Sequence, residues 1–270
     1  EVADAHIQLS ASIAVAFSPD HTTEAVELVA AADQALFEAR EGGGDRVVCY
    51  TPELGRRAHE RVRLEDEIEH GLEQGEFRLL YQPVVALKDG RLAKAEALVR
   101  WQHPELGLLP PDRFIPHAEE ARMIDQIGDW VFGKCVEDLP VMQARFGPDF
   151  QASVNVSPLQ LAGADPARFA AWQESLLSIR EGRGVILEIT ESALFEPSPA
   201  TSARLEAMRV AGVQIALDDF GAGHTSLRYY LDHEFDYLKI DRDFVRPGPD
   251  DAGARALCES LLGFAHRLDA

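Results

Sequence analysis

The chain has 270 residues, 46% of them hydrophobic, enough for one large core and a piece of a second domain. Lys and Arg number 26 against 46 Asp and Glu, a net charge of -20, so no basic stripe offers a footprint for DNA or RNA. Three scattered cysteines, Cys49, Cys135 and Cys258, argue against a disulfide framework and against a zinc cluster.

No apolar run is long enough to cross a membrane and no signal peptide opens the chain. The expectation is a soluble, cytoplasmic protein, with an upstream sensory or membrane region left open because the chain does not begin with Met. An anionic substrate would need metal cations to neutralise the carboxylates around it.

Residues 7–17 alternate as a strand, Thr22 or Thr23 caps a helix to about Arg40, and Arg46 to Tyr50 is a second short strand. This strand–helix–strand unit is too small for a comfortable domain of its own and reads as the second half of something. Glu53 to Leu72 is a charged amphipathic helix, either a linker or the first helix of the next domain. Phe77 to Leu87, interrupted by Pro83, and Leu92 to Trp101 form an antiparallel pair around the hairpin signal Lys88-Asp89-Gly90.

Residues 107–111 read as loop, and helical periodicity runs through 118–145. Strands then alternate with helices: strands at 152–157, 184–190, 213–218 and 235–241, helices at 169–179, 201–211, 227–231 and 251–268. That order is the signature of βα units on a parallel sheet.

The stretch Asp218-Asp219-Phe220-Gly221-Ala222-Gly223 follows the apolar strand Val213 to Leu217. Period two places Gln214, Ala216 and Asp218 on one face, with Ile215 and Leu217 on the other. Parity groups Lys94, Glu96, Leu98 and Arg100; Ser153, Asn155 and Ser157; Ile186, Glu188 and Thr190; and Tyr237, Lys239 and Asp241 in the same way. Five strands therefore bring acids, an amide and an ammonium to one face near their C-terminal ends, where α/β barrels do their chemistry.

Buried charges need partners. Oxygen donors from Glu96, Asn155, Glu188, Asp218 and Asp219 suit magnesium or manganese rather than zinc. Two such ions about 4 Å apart would activate a water and hold a phosphoryl oxygen, with Lys239 aimed at the nucleophile or the phosphate. The competing reading is a set of interior ion pairs, Lys239 with Asp241 or Glu188. There is no G-x-S-x-G elbow for a serine nucleophile.

Glu96-Ala97-Leu98-Val99-Arg100-Trp101 resembles the signature of the EAL-domain family of cyclic di-GMP phosphodiesterases. Asn155 in Val-Asn-Val-Ser, Glu188 and Glu191 in Glu-Ile-Thr-Glu, Asp218-Asp219-Phe220-Gly221 and Lys239-Ile240-Asp241 match it in order and approximate spacing, across residues 60–270. The resemblance implies a TIM-like (β/α) barrel whose first strand is antiparallel, hydrolysing cyclic di-GMP to linear pGpG with two Mg²⁺ or Mn²⁺ ions. It makes Glu96, Asn155, Glu188 and Asp218 ligands of the first metal, gives Asp219 to the second, and has Lys239 orient the attacking water. Arg100 would meet the substrate phosphate, Gln82 matches the family's first strand, and Glu191 would anchor a loop at 219–226. His224 stands where Tyr is common, and Arg122-Met123 replaces the usual Gly-Leu.

Residues 1–51 resemble the C-terminal part of a GGDEF (diguanylate cyclase) domain, through Ser12 to Ala16 and Ala32 to Ala39. The expected organisation is that segment at 1–51, a linker helix at 52–75 and an EAL-like barrel at 76–270. Six of the family's eight strands are counted. The barrel is therefore expected to lack its last two, with the general-base Glu absent and the 270-residue chain inactive or nearly so. The alternative functions are an inactive cyclic di-GMP receptor, and a homodimer scaffold built on helix 53–72.

Overall fold

The computed structural model describes residues 10–41, 43–163, 166–176, 179, 184–190, 199–221, 234–246, 248 and 251–267. Two compact units are present, Glu1–Ile68 and Glu69–Ala270. In the first, β1 (Ile13–Val15) pairs in parallel with β2 (Val47–Cys49), and α1 (Ala25–Glu41) connects them. Thr22 Oγ1 accepts from Glu24 N–H at 3.2 Å, in the turn that precedes α1. The long helix α2 (Pro52–Glu73) runs across the division between the units.

The second unit is built on one sheet. β3 (Phe77–Val85) and β4 (Leu92–His103) form the antiparallel hairpin. Then β6 (Gln151–Val156), β7 (Val185–Thr190), β8 (Gln214–Phe220) and β9 (Tyr237–Ile240) add in parallel, each beside the last, from β4 onward. Among the described residues no pairing joins β9 to β3. Pro83 does not interrupt β3, which lies at the end of the sheet path, where a missing N–H is tolerated.

Two expectations are corrected here. Residues expected as loop form β5 (Gly107–Leu109), which folds back on the end of β4, with Gly107 at φ 74. The helical stretch expected over 118–145 is two helices, α3 (Ile115–Glu120) and α4 (Ile124–Phe146). Arg122 breaks them in the left-handed region at φ 59, and Met123 N–H bonds back to Ala118 O at 2.7 Å. Periodicity could not show this break, because Arg has no intrinsic preference for that conformation.

The helices α4, α5 (Pro158–Gly163), α6 (Pro166–Leu176) and α7 (Pro199–Val210) lie between successive strands. α4 packs against β4 and β6, and α7 against β8. Ala95, Ala97 and Trp101 of β4, Val154 and Val156 of β6, Leu187 and Ile189 of β7, and Ile215 and Leu217 of β8 are all buried. Phe132 of α4 stacks on Trp172 of α6, with centroids 4.3 Å apart. Each fully buried Val, Leu, Ile or Phe side chain in this layer contributes about 1.5–3 kcal/mol by leaving water. Beyond β9 come α8 (Arg242–Val245) and α9 (Ala252–Arg267). The expected helix at 227–231 lies outside the described residues. Among the described residues no helix is long and apolar enough to cross a membrane.

Candidate functional site: a carboxylate ring around Lys239

The hairpin and the four parallel strands set the inward residues in a stepped register. Glu96 stands opposite Gln82 on one side and Ser153 on the other, Asn155 opposite Glu188, and Thr190 opposite Asp218. Between the pairs Leu217–Leu238 and Phe220–Ile240 the register shifts, so β8 carries Asp218 and Asp219 where β9 carries Lys239 alone. This is a β-bulge, and Asp219 takes the left-handed conformation at φ 54 to form it. Gly221 follows at φ 93, where a Cβ would come within 2.9 Å of the Phe244 ring.

Lys239 is the centre of the site. Its Nζ donates to Glu188 Oε2 at 2.5 Å, to Asp218 Oδ2 at 2.9 Å and to Glu96 Oε2 at 3.3 Å. Asn155 Nδ2 donates to the other Glu96 oxygen at 3.0 Å. The ammonium uses its three donors on three carboxylates from three strands. The ion-pair reading of Lys239 with Glu188 is thus realised, with two further carboxylates in the same contact.

The electrostatics follow from burial and sign. The Glu188 side chain is 5% exposed and Lys239 32%. Burial pushes the Glu188 carboxyl above the usual range, only partly opposed by Lys239 and by a hydrogen bond from Ser153. Burial pulls the Lys239 ammonium down, but Glu188 and Asp218 more than offset it, and the net shift is upward. Asp219 is raised by burial and then by the charges of Asp218 and Asp241, with an Asp241 hydrogen bond adding to the effect.

The remaining candidates are less tightly joined. Arg100 lies on the same face of β4 as Glu96, and its Nη1 donates to Val99 O at 2.8 Å. Gln82 is exposed on β3, level with Glu96. Glu191 and His224 lie outside the described residues. A mainly apolar cleft of about 350 Å³ opens beside Asn155, lined also by Leu98, Ile115, Ile127, Ser157 and Thr190. Sequence reasoning missed the bulge, which leaves no mark on apolar alternation. It also missed the Ser153 contact with Glu188, whose only signal was the shared parity with Asn155.

Among the described residues, no three His, Cys, Asp or Glu side chains stand ready to hold a cation. Lys239 occupies the point on which Glu96, Glu188 and Asp218 converge. The donors are nonetheless all oxygen, mostly anionic, and reach one point from several strands. That set fits a hard divalent cation, provided the ammonium moves aside.

The EAL domain family matches residues 65–270. The chain belongs to the EAL-domain family. The cyclic di-GMP phosphodiesterase NbdA of Pseudomonas aeruginosa is 34% identical over 96% of this chain and 33% of its own length. The cyclic di-GMP phosphodiesterase PdeR of Escherichia coli is 32% identical over 97% of this chain and 39% of its own. The chain spans about a third of the length of the curated relatives it matches. The structure of the PaMucR phosphodiesterase with c-di-GMP superposes at a TM-score of 0.70, with 33% identity over 77% of this chain and 83% of that one. The EAL enzyme Bd1971, with cAMP and cyclic di-GMP bound, superposes at 0.73 with 27% identity over 93% of this chain and 65% of that one. The mixed α/β sheet with its antiparallel first strand is therefore the EAL-type fold related to known barrel structures.

Proposed function

We propose that the protein is a metal-dependent phosphodiesterase that hydrolyses cyclic di-GMP to linear pGpG. The observation that carries the reading is the convergence of Glu96, Glu188 and Asp218, from three strands, on Lys239 Nζ. The family names support the substrate: relatives called cyclic di-GMP phosphodiesterases align with nearly the whole chain.

Glu96, Asn155, Glu188 and Asp218 would hold one Mg²⁺ or Mn²⁺, and Asp219, with Asp218 beside it, a second. Bound there, the ions would supply an activated water and charge neutralisation at the phosphoryl oxygens. The protein's own groups do the rest. Asn155 donates to Glu96 and fixes its carboxylate plane. Ser153 does the same for Glu188. Lys239, displaced from the carboxylates, donates to the water and orients it toward phosphorus. Arg100 gives a guanidinium to the phosphate and Gln82 contacts the substrate. Hydrolysis adds OH to phosphorus, breaks one P–O3′ bond and returns the proton to the 3′ oxygen.

Residues 1–51 are proposed to be the C-terminal part of a GGDEF domain, 52–75 a linker helix and 76–270 the EAL barrel. In support, the bifunctional diguanylate cyclase/cyclic di-GMP phosphodiesterase MucR is 33% identical over 97% of the chain.

The test is chromatography of cyclic di-GMP incubated with the purified full-length protein. Conversion to pGpG is expected with Mg²⁺ or Mn²⁺, little with Ca²⁺, whose geometry is looser, and none after chelation. Equal conversion after exhaustive chelation would sink the two-metal reading. Binding of the dinucleotide without turnover under any metal would leave a receptor instead.

A further inference from the structure

Two residues below Lys239 on the inner face of β9 is Tyr237. Lys94 Nζ lies 2.9 Å from the centre of its ring. Its hydroxyl lies 3.2 Å from Gln151 Oε1 and 3.3 Å from Gln214 Oε1. Gln151 Nε2 in turn donates to Gln214 Oε1, and Gln214 Nε2 donates to Asp236 Oδ1 at 3.2 Å. Asp236 also accepts from Ile215 N–H at 2.8 Å, which ties the start of β9 to β8. One tyrosine is thus gripped by side chains from β4, β6 and β8.

β9 needs such a grip. It has four residues, each partly exposed, and its register with β8 is broken at Lys239 itself. Three strands separate it from β4 in the sheet. The backbone ladder therefore fixes the height of Lys239 poorly. Two side-chain contacts nonetheless reach across the interior from β4 to β9: Glu96 to Lys239 above, and Lys94 to Tyr237 below. They stack because Lys94 and Glu96 share a face of β4, as Tyr237 and Lys239 share a face of β9.

We propose that Lys94 and Tyr237 are positioning residues, a polar floor that sets where Lys239 presents its ammonium to the reacting water. The proposal rests on the reading of Lys239 given above. The ring contact matters most. Both residues are half-buried, and an ammonium centred over an aromatic face is attracted to it, while O–H···O distances of 3.2 and 3.3 Å exceed the usual range. Small displacements of a catalytic group cost rate steeply, as much as about 10²-fold per ångström.

The experiment compares Tyr237→Leu, Tyr237→Phe and Lys94→Met with the unaltered protein. Steady-state kinetics on cyclic di-GMP with Mn²⁺ is one readout. The ¹⁵N resonance of the Lys239 side chain in the metal-free protein, assigned through Lys239→Met, is the other. Tyr237→Leu and Lys94→Met should lower kcat about tenfold with KM within about twofold, and both should shift or broaden the Lys239 resonance. Tyr237→Phe, which keeps the ring, should stay within about threefold of the parent kcat, with that resonance little moved. If Tyr237→Leu does not fold, Lys94→Met decides. An unmoved resonance with unchanged kcat in Lys94→Met, or Phe as damaging as Leu, overturns the proposal. Absence of turnover in the unaltered protein overturns the phosphodiesterase reading instead, and the resonance still reports on the floor.

Discussion

Asp218 Oδ2 lies 2.9 Å from Lys239 Nζ at the point where β8 carries two residues and β9 carries one. In a regular strand Asp218 and Asp219 would face opposite sides of the sheet. The bulge breaks that alternation: Asp218 reaches the ammonium, Asp219 lies within its electrostatic influence, and Asp218 Oδ1 accepts from Asp219 N–H at 2.9 Å. The cost is a non-glycine residue in the left-handed region.

That cost separates backbone from chemistry at Asp219. The left-handed conformation disfavours an ordinary residue by roughly 1–2 kcal/mol. Asp219→Gly is expected to melt at or slightly above the parent temperature while turnover collapses. Asp219→Val should lose about 1–2 kcal/mol of stability as well. Thermal denaturation beside the hydrolysis assay checks both, and full turnover by Asp219→Gly would remove the carboxylate from the mechanism.

Lys239→Met removes a competitor for the carboxylates as well as a catalytic group. The ammonium holds the point on which Glu96, Glu188 and Asp218 converge. Without it, the site keeps its negative charge and loses a repelling cation. Turnover should fall by about 10²-fold or more, while Mn²⁺ binds more tightly than to the parent. Titration of free Mn²⁺ by electron paramagnetic resonance reads the second effect, and weaker Mn²⁺ binding would place Lys239 among the groups that build the metal site.

Glu96→Gln should abolish turnover and weaken Mn²⁺ binding by about 10–100-fold, because a formal charge leaves the cation site. Its contact with Asn155 is 3.0 Å and survives the change if the Gln carbonyl oxygen faces Nδ2, so the fold should hold. Circular dichroism and calorimetric Mn²⁺ titration test the pair of expectations, and a parental kcat would contradict the assignment.

Alkali should unfold the protein partly through Cys135. Burial, then the Asp138 charge, pushes this thiol from 9.0 up to about 12. Its folded pKa is above its unfolded one, so its contribution is complete below about 9 and is lost as pH rises toward 12. Denaturation midpoints should fall between pH 9 and 11, and Cys135→Ala should flatten part of that fall. At pH 8, iodoacetamide should label exposed Cys49 and spare Cys135 in the native protein.

The sequence by itself determined the two faces of each strand. Lys94, Glu96, Asn155, Glu188 and Lys239 could be placed inside, and Val154, Leu187 and Ile189 outside, because a period of two and the avoidance of buried unpaired charge are local rules. Residue order also showed the hairpin, the βα alternation and the EAL signature. Only the tertiary structure decided which carboxylates share Lys239, since Glu96 and Lys239 are 143 residues apart and meet across the interior. The same holds for the bulge at Asp218 and Asp219, the break at Arg122 and the Lys94 contact with Tyr237. Each depends on register between strands or on a left-handed residue held by its neighbours. No single strand contains that information, because the free energy that selects it comes from partners distant in the chain.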